Sequence, residues 1–161
     1  MATRTATEFR APMGPDVFVS LERARASLAE AMDATEPAER YVAAHIAALR
    51  TAAAVLAGKA KPTTRRSRPN AWTLLARVAP ELSEWATFFA AGAGKRAAAE
   101  AGLPHAVTER EADDLVREAE RFLNVVIGFL ELPHQLPLPR QQTECSDRTE
   151  PRYLDLRETA A

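Results

Sequence analysis

The sequence predicts an all-α fold, an up-and-down antiparallel bundle of four to five helices between disordered N- and C-terminal tails. Three observations carry that expectation. Apolar residues recur at three- and four-residue spacing in several stretches between positions 16 and 132. Aromatics are only 6% of a chain that is 47% hydrophobic, so the core must be built from Leu, Val and abundant Ala, which suits closely approaching helices. Long runs of β-branched residues, the raw material of strands, are absent. A length of 161 residues matches one domain. The expected layout is a lead-in over 1–15, a bundle over 16–132 and a Pro-rich flexible tail over 133–161.

In chain order, residues 1–15 are Thr, Ala, Pro and Gly with scattered charge and read as disordered. Phe18, Leu21, Leu28 and Met32 recur at helical spacing, so 16–34 reads as an amphipathic helix with Asp16 as its N-cap. Thr35-Glu36-Pro37 signals the next start, and Tyr41, His45, Leu49, Ala52 and Leu56 form its stripe until Gly58. Asn70 caps a short helix bearing Trp72, Leu75 and Val78, and Pro80 breaks the chain because the residue before a proline is pushed out of the α region. Leu82, Trp85 and Phe89 open a further helix, with Gly92 and Gly94 marking a kink or an end. Thr108 and Glu111 form a capping box. It opens the most regular helix, with Leu115, Phe122, Val126 and Ile127 in a stripe wide enough to be central.

Composition also narrows the function. The formal net charge is −1, and of 21 basic residues only Lys59, Lys61 and Lys95 are lysine, a bias that points to a GC-rich bacterial genome. Cys145 is the single cysteine, so an intramolecular disulfide and a Cys-rich metal site are excluded, and its polar surroundings read as an inert exposed thiol. The first residues lack an apolar signal core, and nowhere do about 18 apolar residues run uninterrupted by charge, which makes the cytoplasm the expected location with no membrane partner. No cofactor is expected.

The first chemical candidate is Arg40 followed by His45. On one helix these positions lie about 140° apart, so a single chain does not aim both at one atom. His45 shares its stripe with Tyr41 and Leu49 and reads either as a packed core histidine or, in a groove or dimer seam, as general acid or base with Arg40 neutralising a phosphate.

Glu39-Arg40-Tyr41, Ala44-His45, Ala47-Ala48-Leu49-Arg50, Ala71-Trp72, Leu74-Leu75, Ala79-Pro80-Glu81-Leu82 and Glu84-Trp85-Ala86 resemble the HEPN superfamily, the higher eukaryote and prokaryote nucleotide-binding domain, in a small stand-alone actinobacterial branch. The resemblance covers roughly 16–130. It implies a helical bundle, frequent dimerisation and, in some members, metal-independent RNA cleavage through an Arg-x4-6-His motif; other members lack the motif and serve as nucleotide-binding or interaction modules. In the nuclease members the motif lies late in the fold with a polar residue after the Arg, whereas here it lies in the second helix and is followed by Tyr41.

Two further segments stand out. Lys59, Lys61, Arg65, Arg66 and Arg68 occur without a counter-acid in a stretch with no apolar period, which reads either as a solvated linker or as a salt-sensitive RNA or DNA contact. In the tail, Gln135, Leu136 and Leu138 resemble the Gln-Leu-x-Leu-Phe peptides with which bacterial DNA polymerases and repair factors bind the sliding clamp, though Pro139 replaces the aromatic; a Pro-rich linker is the other reading. Tyr153, Leu154 and Leu156 form an apolar island that folds back on the bundle or binds a partner. His105 and His134 sit beside prolines and read as loop residues, with no metal-site pattern near either.

The functional expectation is a non-enzymatic HEPN-like module acting through self-association, as a homodimer, or through a nucleic-acid-processing partner. The alternatives are a metal-independent ribonuclease using Arg40 and His45, and an adaptor tethered to the replication clamp by its tail.

Overall fold

Five α-helices and one 3-10 turn make up the computed structural model, which describes residues 13–59 and 70–131 and has no strand among them. The helices are α1 (Pro15–Asp33), α2 (Pro37–Lys59), α3 (Ala71–Val78), α4 (Ser83–Glu100) and α5 (Glu109–Phe129), with the 3-10 turn at Pro80–Leu82. This is the all-α bundle the apolar spacing predicts.

Local signals set most boundaries. Asn70 caps α3 by accepting from the Thr73 amide at 2.8 Å. The Thr108–Glu111 capping box opens α5 with both reciprocal bonds formed. Ala79 leaves the helical region at φ −134°, ψ 80°, the break imposed by Pro80.

Three expectations about helix ends and faces are corrected. The α1 N-cap is Gly14, not Asp16, because Pro15 fits the first turn without losing an amide bond; Asp16 lies in that turn, where a carboxylate suits the helix dipole. Met32 is exposed, and the buried stripe of α1 is Val17, Leu21, Ala24, Leu28 and Ala31. Gly92 and Gly94 do not end α4, since about 1 kcal/mol each is outweighed by the packing of the helix on α2. Its stop lies at Gly102, whose φ of +68° closes a Schellman motif: Gly102 N–H bonds the Ala99 carbonyl at 3.0 Å and Leu103 N–H the Ala98 carbonyl at 3.1 Å.

The central helix is α2, not α5, because α1, α3, α4 and α5 all pack on it. Ala43, Ala44, Ala47, Ala48, Ala52 and Ala54 are buried on several sides of α2, and their small size lets four helices approach. Helix α5 buries one stripe and exposes Arg117, Glu120 and Arg121 opposite it. By length and composition alone α2 is apolar enough to cross a membrane, with a mean hydropathy of 1.4; its central place accounts for that apolarity.

Contacts along the helices give their directions. Arg50 on α2 donates to the Arg23 carbonyl on α1 at 3.1 Å, and Gly58 near the end of α2 faces Val17 near the start of α1, so the two are antiparallel. Arg40 pairs with Asp113 near the starts of α2 and α5, and Gly58 lies by Leu130 at their ends, so these two run parallel. Lys95 near the end of α4 pairs with Glu111 at the start of α5. The chain therefore alternates direction through α1, α2, α4 and α5, as expected, while the α2–α5 contact joins parallel helices with α4 as the return leg.

Five aromatics, Trp72, Trp85, Phe88, Phe89 and Phe122, form one cluster. Trp72 and Phe89 stack with centroids 5.3 Å apart, and Phe122 lies 5.3 Å from both Phe89 and Trp85. Each such pair contributes about 0.5–1.5 kcal/mol beyond its buried area.

Candidate functional site

This aromatic cluster surrounds His45, whose stripe on α2 turns toward α3 and α4. The residue is 1% exposed. Its Nε2 lies 2.9 Å from the Phe89 carbonyl, and since a carbonyl only accepts, Nε2 carries the proton. Nδ1 is thus an unprotonated acceptor, buried and without a hydrogen-bond partner. Trp72 meets the ring edge-on at 5.9 Å, with an interplanar angle of 87°. Burial pushes the imidazole below its ordinary pKa of 6.5, and the Arg96 charge adds to that, against the Phe89 bond and Glu100, which raise it.

Gly92 permits this arrangement. A Cβ there would stand 2.9 Å from the Tyr41 hydroxyl and 3.4 Å from His45 Cδ2, so only a residue without a side chain lets α4 cross α2 at this depth.

Between α2, α3 and α4 a cavity of about 220 Å³ is bordered by His45, Asn70, Trp72 and Arg96. Asn70 is occupied in capping α3. Arg96 Nε is buried without a hydrogen bond and forms an ion pair with Glu100 at 3.4 Å. The cavity therefore brings together a neutral imidazole and a guanidinium.

Arg40 is elsewhere. Its guanidinium pairs with Asp113 on α5 and donates to the carbonyls of Ala34 at 3.1 Å and Thr35 at 3.4 Å. It ties the α1–α2 link to α5, whereas His45 faces α3 and α4, so within one chain the two are held apart, as their 140° separation implies. The cation that shares His45's surroundings is Arg96, which sequence reasoning missed. Its signal was the spacing Phe89, Gly92, Arg96 along one helical face, legible only if α4 runs unbroken through both glycines.

A second polar cluster joins α4 to α5. Glu111 is pulled down to about 2, first by its bond from Lys95 and then by the Thr108 backbone and hydroxyl; the same bond raises Lys95. Burial raises the neighbouring Tyr41.

Of the basic segment, Lys59 is described, its ammonium 4.1 Å from the centroid of the Phe129 ring. Lys61, Arg65, Arg66 and Arg68 lie outside the described residues, as do Gln135, Leu136 and Leu138 of the tail, His134 and Cys145. His105 is exposed in the α4–α5 link with φ +58°. Among the described residues, no three His, Cys, Asp or Glu side chains are grouped as metal ligands.

The all-α bundle thus wraps around an alanine-rich central helix, with the Ala-His and Trp-bearing segments meeting in its core. The chain belongs to the SAV_6107-like HEPN family, whose model matches residues 31–127, from the last turn of α1 into the last turn of α5. No curated protein and no solved structure matches it.

Proposed function

We propose that this HEPN domain acts by association, with a second copy or with a nucleic-acid-processing partner in the cytoplasm, and not by catalysis. The observation that carries this reading is the engagement of both members of the Arg-x4-His pair in the fold: Arg40 on Asp113 and two carbonyls, His45 on the Phe89 carbonyl inside the core. A general base must reach the proton it removes, and a 1% exposed histidine bonded to backbone does not. The test incubates purified full-length protein with labelled single-stranded RNA in EDTA, alongside Arg40→Ala and His45→Ala, with light scattering for mass. The expected result is a dimer mass and intact RNA in every lane. Cleavage that a folded His45→Ala variant abolishes would overturn the reading.

A second reading has one observation in its favour, the shared cavity of His45 and Arg96. In a metal-independent ribonuclease Nδ1 would accept the 2′-hydroxyl proton while Arg96 neutralised the phosphate. Cleavage lost in Arg96→Ala and kept in Arg40→Ala is its signature. Partner contacts through the basic segment 59–68 would weaken steeply with salt, and clamp tethering would vanish on deletion of 135–139.

A further inference from the structure

Among the described residues, two buried side-chain nitrogens lack a hydrogen bond, Nδ1 of His45 and Nε of Arg96. Both residues border one cavity, the space of about 220 Å³ between α2, α3 and α4. Buried polar atoms are almost always satisfied, so two orphans on residues of one cavity point to a partner that the described chain does not supply.

The two nitrogens have opposite needs. Nδ1 is an acceptor, because the ring proton sits on Nε2 against the Phe89 carbonyl, and it requires a donor. The Arg96 guanidinium only donates and requires an acceptor. Glu100 lies 3.4 Å from its Nε as an ion pair, without closing a hydrogen bond there.

The surroundings favour an anion. The first turn of α3 also borders the cavity and carries no acidic residue, so the positive end of that helix adds to the Arg96 charge, part of which Glu100 offsets. The volume suits a small ion with water, since drug-sized ligands occupy about 300–1,000 Å³. Ala90 and Ala93, which border the cavity as well, are exposed and leave a way in from solvent.

We propose that this cavity binds a small oxyanion that keeps a hydroxyl, free hydrogen phosphate or bicarbonate, with the hydroxyl donating to His45 Nδ1 and a charged oxygen accepting from the Arg96 guanidinium. The same chemistry rejects a simple phosphate monoester, which loses its second proton near about pH 6 and then has no hydroxyl to offer. Burial holds His45 below its ordinary pKa, so at mildly alkaline pH the ring does not supply the missing proton. The inference rests neither on association nor on cleavage, and its test contains no RNA.

Full-length protein with nitrogen-labelled histidine is titrated at mildly alkaline pH with inorganic phosphate, bicarbonate, sulfate and methyl phosphate in turn. His105→Gln and His134→Gln assign the resonances. Phosphate or bicarbonate is expected to move the His45 Nδ1 resonance upfield, as a nitrogen lone pair does on accepting a hydrogen bond, and the tighter of the two names the ion. Sulfate and methyl phosphate, which carry no proton there, should bind at least about tenfold more weakly. Arg96→Gln should weaken binding by at least about tenfold with the helical circular dichroism unchanged. Ala93→Leu, which fills the cavity from its exposed side, should block it. A resonance that none of the four anions moves, as when water alone fills the cavity, would overturn the proposal. Equal binding of sulfate, or an affinity that Arg96→Gln leaves intact, would do so as well.

Discussion

His45 on α2 donates from Nε2 to the Phe89 carbonyl on α4 across 2.9 Å, which leaves its Nδ1 as a bare acceptor in the core. A charged imidazole would add a proton at Nδ1 with no acceptor to receive it. The fold therefore selects the neutral ring, the same preference that burial imposes on its pKa.

Stability should follow that preference with pH. A histidine whose folded pKa lies below its unfolded 6.5 binds fewer protons when folded, so its contribution is complete above about pH 6.5 and is lost as pH falls from there toward the folded value. Urea unfolding between about pH 7.5 and 5.5 should show a decline no steeper than about 1.4 kcal/mol per pH unit. His45→Gln should flatten it.

The two glycines of α4 should respond oppositely to alanine. At Gly94 a Cβ meets nothing within 4 Å, so Gly94→Ala should stabilise by about 0.5–1 kcal/mol. At Gly92 the Cβ would meet the Tyr41 hydroxyl at 2.9 Å, so Gly92→Ala should destabilise by about 1–3 kcal/mol despite the better helix propensity. Denaturant midpoints for Gly92→Ala with and without Tyr41→Phe check the cause, since removing the hydroxyl should recover part of the loss.

Arg40 predicts a loss of stability without a loss of any chemistry. Arg40→Ala removes the Asp113 pair and two bonds to the α1–α2 link, and urea titration should show about 1–2 kcal/mol of destabilisation. Arg40→Lys should restore only part, because an ammonium cannot present the planar fork that reaches all three acceptors.

At acid pH the Lys95–Glu111 contact should be the one that yields. Glu111 is depressed from 4.5 to about 2, so the stability it contributes is complete above about pH 4.5 and lost as pH falls through about 2. Glu111→Gln should remove this limb from melting curves taken across that range. An NMR titration of the Glu111 carboxyl reads the depressed value directly.

Helix identity and most boundaries were legible because their causes are local. Asn70, the Thr108–Glu111 box and Pro80 act within a few residues of themselves, and the periodicity of α5 reports one buried face. The residues that line the His45 cavity were not, because Arg96 meets His45 only if α4 crosses the two glycines intact, and sequence offers no measure of the packing that holds it.

The sequence by itself determined that the chain is an all-α bundle, since spacing and capping follow from neighbours along the backbone, and its HEPN membership rests on the match of residues 31–127 to that family. Tertiary structure alone decided which helix is central, that α2 and α5 touch in parallel, and that Asp113 claims Arg40 while the Phe89 carbonyl claims His45. The physical reason is that an alanine-rich helix is compatible with burial on every face, so its pattern does not say which neighbours arrive or which of its polar residues they will claim.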